Sequence, residues 1–196
     1  LSVPGNIAAG TGTVSLTTTA GNIDFSGATT LTAGAVTLNA SASITSGTAG
    51  TDIDTSGSNG TIDLTAGTNI GASGNSLLVN MGTGNLKLTA TTGDVYVEKS
   101  SGSLSFSKLT TVSMAGNGKT LQLSTTNGAV NIDSYAGFNA NVQNDNVTVN
   151  ANGATSNLTI TAAQPAMTGT ITGTAGQNIA LTVAGSVNTS GNVVLT

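Results

Sequence analysis

One stretch of this chain combines oxygen-bearing residues at spacings that suggest a ligand: Asp52-Ile53-Asp54-Thr55-Ser56-Gly57, with Asp63 at the twelfth place. Alternate side-chain oxygens at Asp52, Asp54 and Ser56, a glycine sixth and an acid twelfth follow the order of a calcium loop. The twelfth residue is Asp rather than the longer, bidentate Glu, and no helical sequence flanks the loop. The same residues also fit a plain strand, in which Ile53 points inward and the two acids straddle it on the polar side. Calcium is the one cofactor these residues suggest.

Other chemistry finds less material. The chain has no His, no Arg, a single Glu (Glu98) and seven scattered Asp. A paired-carboxylate site needs two carboxyls about 5–10 Å apart across a substrate. Asp24 and Asp63 could share a face, yet solvated surface acids explain both. The Ser and Thr hydroxyls lack a base to activate them. Gly116-Asn117-Gly118-Lys119-Thr120 imitates a phosphate loop, but Ser113 stands where the first glycine belongs and Leu121-Gln122-Leu123 reads as a strand rather than a helix. The expectation is a protein that is not an enzyme.

The elements that would position these residues are marked by a repeated phrase: a Gly or polar residue, a small polar one, then apolar–polar–apolar. It stands at Gly12–Leu16, Gly21–Phe25, Gly34–Leu38, Gly60–Leu64, Gly84–Leu88, Gly93–Val97, Gly102–Phe106 and Gly128–Ile132, with looser copies to Gly191–Leu195. Alternation marks half-buried strands, and a recurring phrase marks a stacked array. Two phrases span roughly 18–26 residues, which suits one coil of an all-β parallel β-solenoid. Residues 1–196 then form a single solenoid domain of roughly eight to ten coils, about 40–48 Å long. Excursions are expected near 71–84, where Leu77-Leu78-Val79 breaks the alternation, and near 134–144, which holds Tyr135 and Phe138. A β-sandwich is the rival fold, disfavoured because only 3% of residues are aromatic.

The phrase also assigns the interior. Val14, Leu16, Ile23, Phe25, Val36, Leu38, Ile62, Leu64, Leu86, Leu88, Val95, Val97, Leu104, Phe106, Leu121, Leu123, Val130, Ile132, Val147, Val149, Leu158, Ile160, Ile179 and Leu181 face inward. The middle positions, among them Ser15, Asp24, Thr37, Asp63, Lys87, Tyr96 and Gln122, face outward. Four Asn-Gly pairs (Asn59-Gly60, Asn117-Gly118, Asn127-Gly128, Asn152-Gly153) supply left-handed corner conformations. Asn22, Asn85, Asn146, Asn157, Asn178 and Asn192 are placed to stack as amide ladders.

Composition narrows the partners. A net charge of −4 without Arg, and with only Lys87, Lys99, Lys108 and Lys119 as cations, excludes a nucleic-acid surface. No run of about 18 apolar residues is present, so no membrane span is expected. Absence of Cys rules out a disulfide framework, and Leu1-Ser2-Val3-Pro4-Gly5 carries no visible signal peptide, so the expectation is a mature fragment or excised segment. Thr pairs such as Thr11/Thr13, Thr30/Thr32, Thr89/Thr91, Thr159/Thr161 and Thr170/Thr172 leave an ice-binding face open, although their spacing is irregular.

The stretches 21–38, 60–66 and 84–90 resemble the shaft repeats of filamentous-haemagglutinin-type exoproteins, the β-helical adhesins exported by the two-partner route. The resemblance covers most of the chain, but the family's secretion domain with its Asn-Pro-Asn-Gly phrase is not found. It implies a right-handed β-helix, an extracellular or cell-surface location, and a structural role in adhesion, a matrix or biofilm. The expected function is therefore a non-catalytic shaft segment of a surface fibre or adhesin, meeting cell-surface or matrix glycans and proteins. The alternatives are a filament subunit self-associating through its solenoid ends or laterally, a polysaccharide-binding or polysaccharide-degrading β-helix, and an ice-binding solenoid.

Overall fold

Each apolar–polar–apolar triplet buries two side chains and exposes one, and it can do so only if other triplets stack above and below it. The computed structural model, which describes residues 1–25, 27–47, 50–163, 169–181 and 193–196, shows that stacking. It is a parallel β-solenoid of about seven turns. Every strand pair among the described residues is parallel. The turn number is slightly lower than the expected eight to ten. Register partners lie from 20 residues apart (Val79 to Lys99) to 28 apart (Val130 to Leu158). The nine strands of its longest face, about 4.8 Å apart, give a rod of about 38 Å.

One face runs the whole length as a nine-stranded sheet: Ile7–Ala8, Leu31–Thr32, Ile53–Asp54, Leu77–Asn80, Val95–Lys99, Thr120–Thr125, Asn146–Ala151, Ile171–Ala175 and Val193–Leu195. The N-terminal turns add a second face of five strands, Thr13–Thr18, Ala35–Ala40, Ile62–Ala66, Leu86–Ala90 and Leu109–Met114, and a short third one, Ile23–Asp24 with Ile44–Thr45. The cross-section then changes. Val95 continues the short row through Ile70, while Val97 and Lys99 pair with Leu77 and Val79, so Val95–Lys99 fuses two faces into one strand. A four-stranded face opens at Leu104–Ser105 and continues through Val130–Ile132, Asn157–Ile160 and Asn178–Leu181.

Within 71–84, residues 71–76 form a turn closed by an antiparallel bridge between Ala72 and Asn75, and Leu77–Asn80 is a strand of the long face. Within 134–144, Phe138 bridges to Val112 and a 3-10 helix, Ala140–Asn144, follows. Asn139 caps that helix through its side chain. This segment covers the last strand of the five-stranded face, whose hydrogen-bonding groups would otherwise form an open edge.

The interior is one aliphatic column in which nearly the whole expected inward set is buried. Val14, Leu16 and Ile179 are only partly buried, and Leu181 is exposed, a correction to its expected place. These four lie on the outermost turns, which have a neighbour on one side only. Phe106, fully buried, stacks on Phe138 at 5.4 Å and meets Tyr135 edge-on at 5.9 Å, so the aromatics of the 134–144 segment plug the column where the five-stranded face stops. Phe106→Ala should cost about 3–5 kcal/mol, read as a lowered denaturant midpoint with unchanged far-UV signal in the folded baseline.

At the corners, the expected amide stacks are replaced by a different ladder. The Asn22 Oδ1 accepts from the Ser43 N–H (3.0 Å), Ser43 Oγ from Asn69 N–H (3.3 Å), Asn69 Oδ1 from Asp94 N–H (2.8 Å), and Asp94 Oδ1 from Thr120 N–H (2.8 Å). Each link joins one turn to the next. The corner needs acceptors because a backbone N–H leaving the strand loses its ladder partner. Asn146 does the same for Thr170 (3.3 Å), whereas Asn157 Oδ1 is buried without a partner, and Asn192 lies outside the described residues.

Candidate functional site

The oxygens of the candidate calcium loop are already engaged, and on different faces. Asp52 is buried at 1% exposure, with Oδ2 accepting from the Ser46 hydroxyl (2.8 Å) and the Leu78 N–H (2.9 Å). Asp54 lies outward, one residue beyond the inward Ile53, and its Oδ1 accepts from both the N–H (2.8 Å) and hydroxyl (2.6 Å) of Ser56. Asp63 stands on the five-stranded face, paired with Lys87 at 3.2 Å. The structure therefore brings Asp54 and Ser56 together, gives Asp52 other partners, and places Asp63 on a different face. Among the described residues, no three His, Cys, Asp or Glu side chains converge and no concave pocket forms.

Burial creates three unusual ionisable groups that residue type alone conceals. Desolvation pushes the Asp52 carboxyl up from 3.8 to about 6, against the opposing pull of hydrogen bonds from Leu78, Ser46 and Gly47. Its surroundings are closed by the 71–76 turn, where Asn75 Nδ2 donates to the Ser46 and Gly47 carbonyls at 3.0 and 3.2 Å. Asp145, wholly buried, accepts from the Lys119 N–H through Oδ1 (2.8 Å) and leaves Oδ2 without a partner. Burial raises its pKa, and repulsion from Asp94 adds to the rise. The two acids flank the Lys119–Thr120 backbone from opposite turns.

Lys99 is the third. It sits on the inward row of its strand between Val79 and Thr125, 4% exposed, and its ammonium donates to the Ser101 carbonyl. Desolvation lowers its pKa below 10.5. The parity of Val95 and Val97 places Lys99 inward, a signal that its charge masks. Between the lowered value and 10.5 the unfolded chain holds a proton the native chain has lost, so stability rises with pH across that window. Below the lowered value the cost of burying the charge is fully present. Lys99→Met should raise the thermal midpoint by about 2–4 °C and abolish that alkaline rise, as followed by circular dichroism.

The surface rows bear on the remaining readings. Two outward columns cross the five-stranded face: Ser15, Thr37, Asp63, Lys87, Thr111 and Thr17, Asn39, Thr65, Thr89, Ser113. The Asp63–Lys87 ion pair interrupts the first. The Thr pairs read from sequence do not stack in one array, since Thr13 and Thr89 lie on this face, Thr32 and Thr172 on the long one, and Thr159 on the four-stranded one. Tyr96 is half-buried on the long face, while Tyr135 and Phe138 are spent on packing. Thr120 opens a strand, so the phosphate-loop mimic lacks the helix whose N-terminus would face a phosphate. No described helix is long and apolar enough to cross a membrane. No family model, curated protein or solved structure matches this chain.

Proposed function

We propose that this chain is a non-catalytic shaft segment of a secreted surface fibre or adhesin. The observation that carries the reading is the unbroken nine-stranded parallel ladder over one aliphatic column. Successive turns share hydrogen bonds along the axis, and every turn covers the apolar surface of its neighbour, so the product is a stiff spacer whose length scales with turn number. The faces carry short polar side chains in outward columns, as a solvated rod requires. Binding to glycans or matrix proteins would then belong to a tip that such a spacer holds away from the cell, and calcium remains a proposal for the 52–63 segment.

A second reading, end-to-end assembly, has its own support. The large hydrophobics exposed among the described residues, Leu1, Leu181, Val194 and Leu195, all lie on the terminal turns, where another turn, of a second copy or of a longer chain, would cover them. Electron microscopy of the purified chain over a concentration series tests both. Rods of constant length, about 38 Å, are expected for a shaft segment, and filaments lengthening with concentration would favour assembly. Sugar release from a polysaccharide panel, or thermal hysteresis in ice growth, would overturn the structural reading.

A further inference from the structure

The four Asn-Gly pairs share a reactive dipeptide but not an environment. Three have the glycine N–H tied to a carbonyl: Gly60 to Thr55 (3.3 Å), Gly118 to Asn144 (3.2 Å) and Gly128 to Asn152 (3.3 Å). Asn59 is held further, since its Oδ1 accepts from the Thr83 N–H at 2.8 Å. Asn152-Gly153 differs on each count. Asn152 is exposed, and neither its side chain nor the Gly153 N–H has a partner among the described residues. Its main-chain oxygen, by contrast, accepts twice, from the Gly128 N–H and the Ser156 hydroxyl. That oxygen belongs to the same peptide group as the Gly153 nitrogen, so two donors on it draw electron density from the amide and make the N–H more acidic.

We propose that Asn152-Gly153 is the site of a spontaneous backbone modification in the folded protein, conversion of Asn152 to aspartate and isoaspartate. Base removes the Gly153 amide proton, and the nitrogen attacks Asn152 Cγ. A new C–N bond closes a succinimide ring, the Cγ–Nδ2 bond breaks, and the side-chain nitrogen leaves as ammonia with the proton returned to it. Water then opens the ring at Cγ to give aspartate, or at the main-chain carbonyl to give isoaspartate. No oxidation state changes. Each product adds one negative charge, and isoaspartate also inserts a methylene into the chain at the contact between the Gly128 and Asn152 corners.

The fold itself keeps the reactive pair. Gly153 has φ +103°, a conformation that favours glycine, and a Cβ there would also displace the Asn127 Oδ1 (2.3 Å) and Ser156 Oγ (2.9 Å). The test is peptide mapping by mass spectrometry, with isoaspartate detection, of the intact chain aged in mildly alkaline buffer, in parallel with the same chain in urea. The folded chain should gain one mass unit at Asn152 first. The other three sites should lag by at least about tenfold, as expected where reaction waits on local opening of a hydrogen bond. In urea all four should react at comparable rates, and Asn152→Gln should silence the folded-state reaction. Earlier conversion at Asn59, Asn117 or Asn127 in the folded chain, or a residue 152 that reacts only in urea, would overturn the assignment.

Discussion

Gly60→Ala is expected to unfold the solenoid or cost at least about 3 kcal/mol, the largest effect of an added methyl at any described glycine. The reason is not backbone freedom, since Gly60 has no positive φ. A Cβ at Gly60 would stand 1.6 Å from the Gly34 carbonyl oxygen of the turn below and 2.8 Å from its carbon. Neither atom can step aside, because both are backbone within the stack. The contact is one of a column: Gly34 meets the Thr11 carbonyl at 2.0 Å in the same way, and Gly84 meets the Gly60 carbonyl at 2.2 Å. Gly34, Gly60 and Gly84, which open the phrases of this face, are thus where one corner lies directly on the next. Urea unfolding of Gly60→Ala beside Gly57→Ala checks this, because Gly57, three residues away, has nothing within 4 Å of its added Cβ and no positive φ. Equal midpoints for the two variants would refute the stacking account.

That column shows why the repeat was legible in sequence and why its details were not. The triplets fix which side chains point inward, because alternation is a local property of a strand, and Val36, Leu38, Ile62, Leu64, Leu86 and Leu88 lie where it puts them. The phrase spacing does not fix the turn, because a turn holds a variable number of phrases: Ile62–Ala66 and Leu86–Ala90 are successive turns of one face, yet Val95–Lys99 fuses two faces. The calcium-loop spacing is likewise a property of sequence rather than of space. Twelve residues that would close round an ion in a compact loop are here spread over a corner and two faces of a rod, leaving Asp63 to Lys87. The buried ionisable groups were least visible. Lys99 reads as surface by type and interior by parity, and burial of Asp52 depends on the 71–76 turn, which packs on residues 46–47 from 28 positions away in the chain.

Asp52 also gives this protein an acid response opposite to the usual one. A native carboxylate stabilised by an ion pair loses that stability as it is protonated. Asp52 is instead raised to about 6 from 3.8, because its oxygens are removed from water with no cation beside them to compensate. Between those two values the native chain holds a proton that the unfolded chain has released. Stability therefore falls as pH rises through this window, is lowest above about 6, and is restored in full below 3.8. Two pH units of displacement correspond to about 3 kcal/mol for this group. Asp145, raised in the same direction by burial and by Asp94, reinforces the trend. Urea midpoints measured from neutral pH down to about 4 should climb rather than drop, and the climb should shrink markedly in Asp52→Asn, which is neutral throughout. An unchanged slope in that variant would mean that Asp52 is ionised in the native solenoid, and that the 71–76 turn holds a carboxylate stabilised by its Ser46, Gly47 and Leu78 donors rather than a protonated acid.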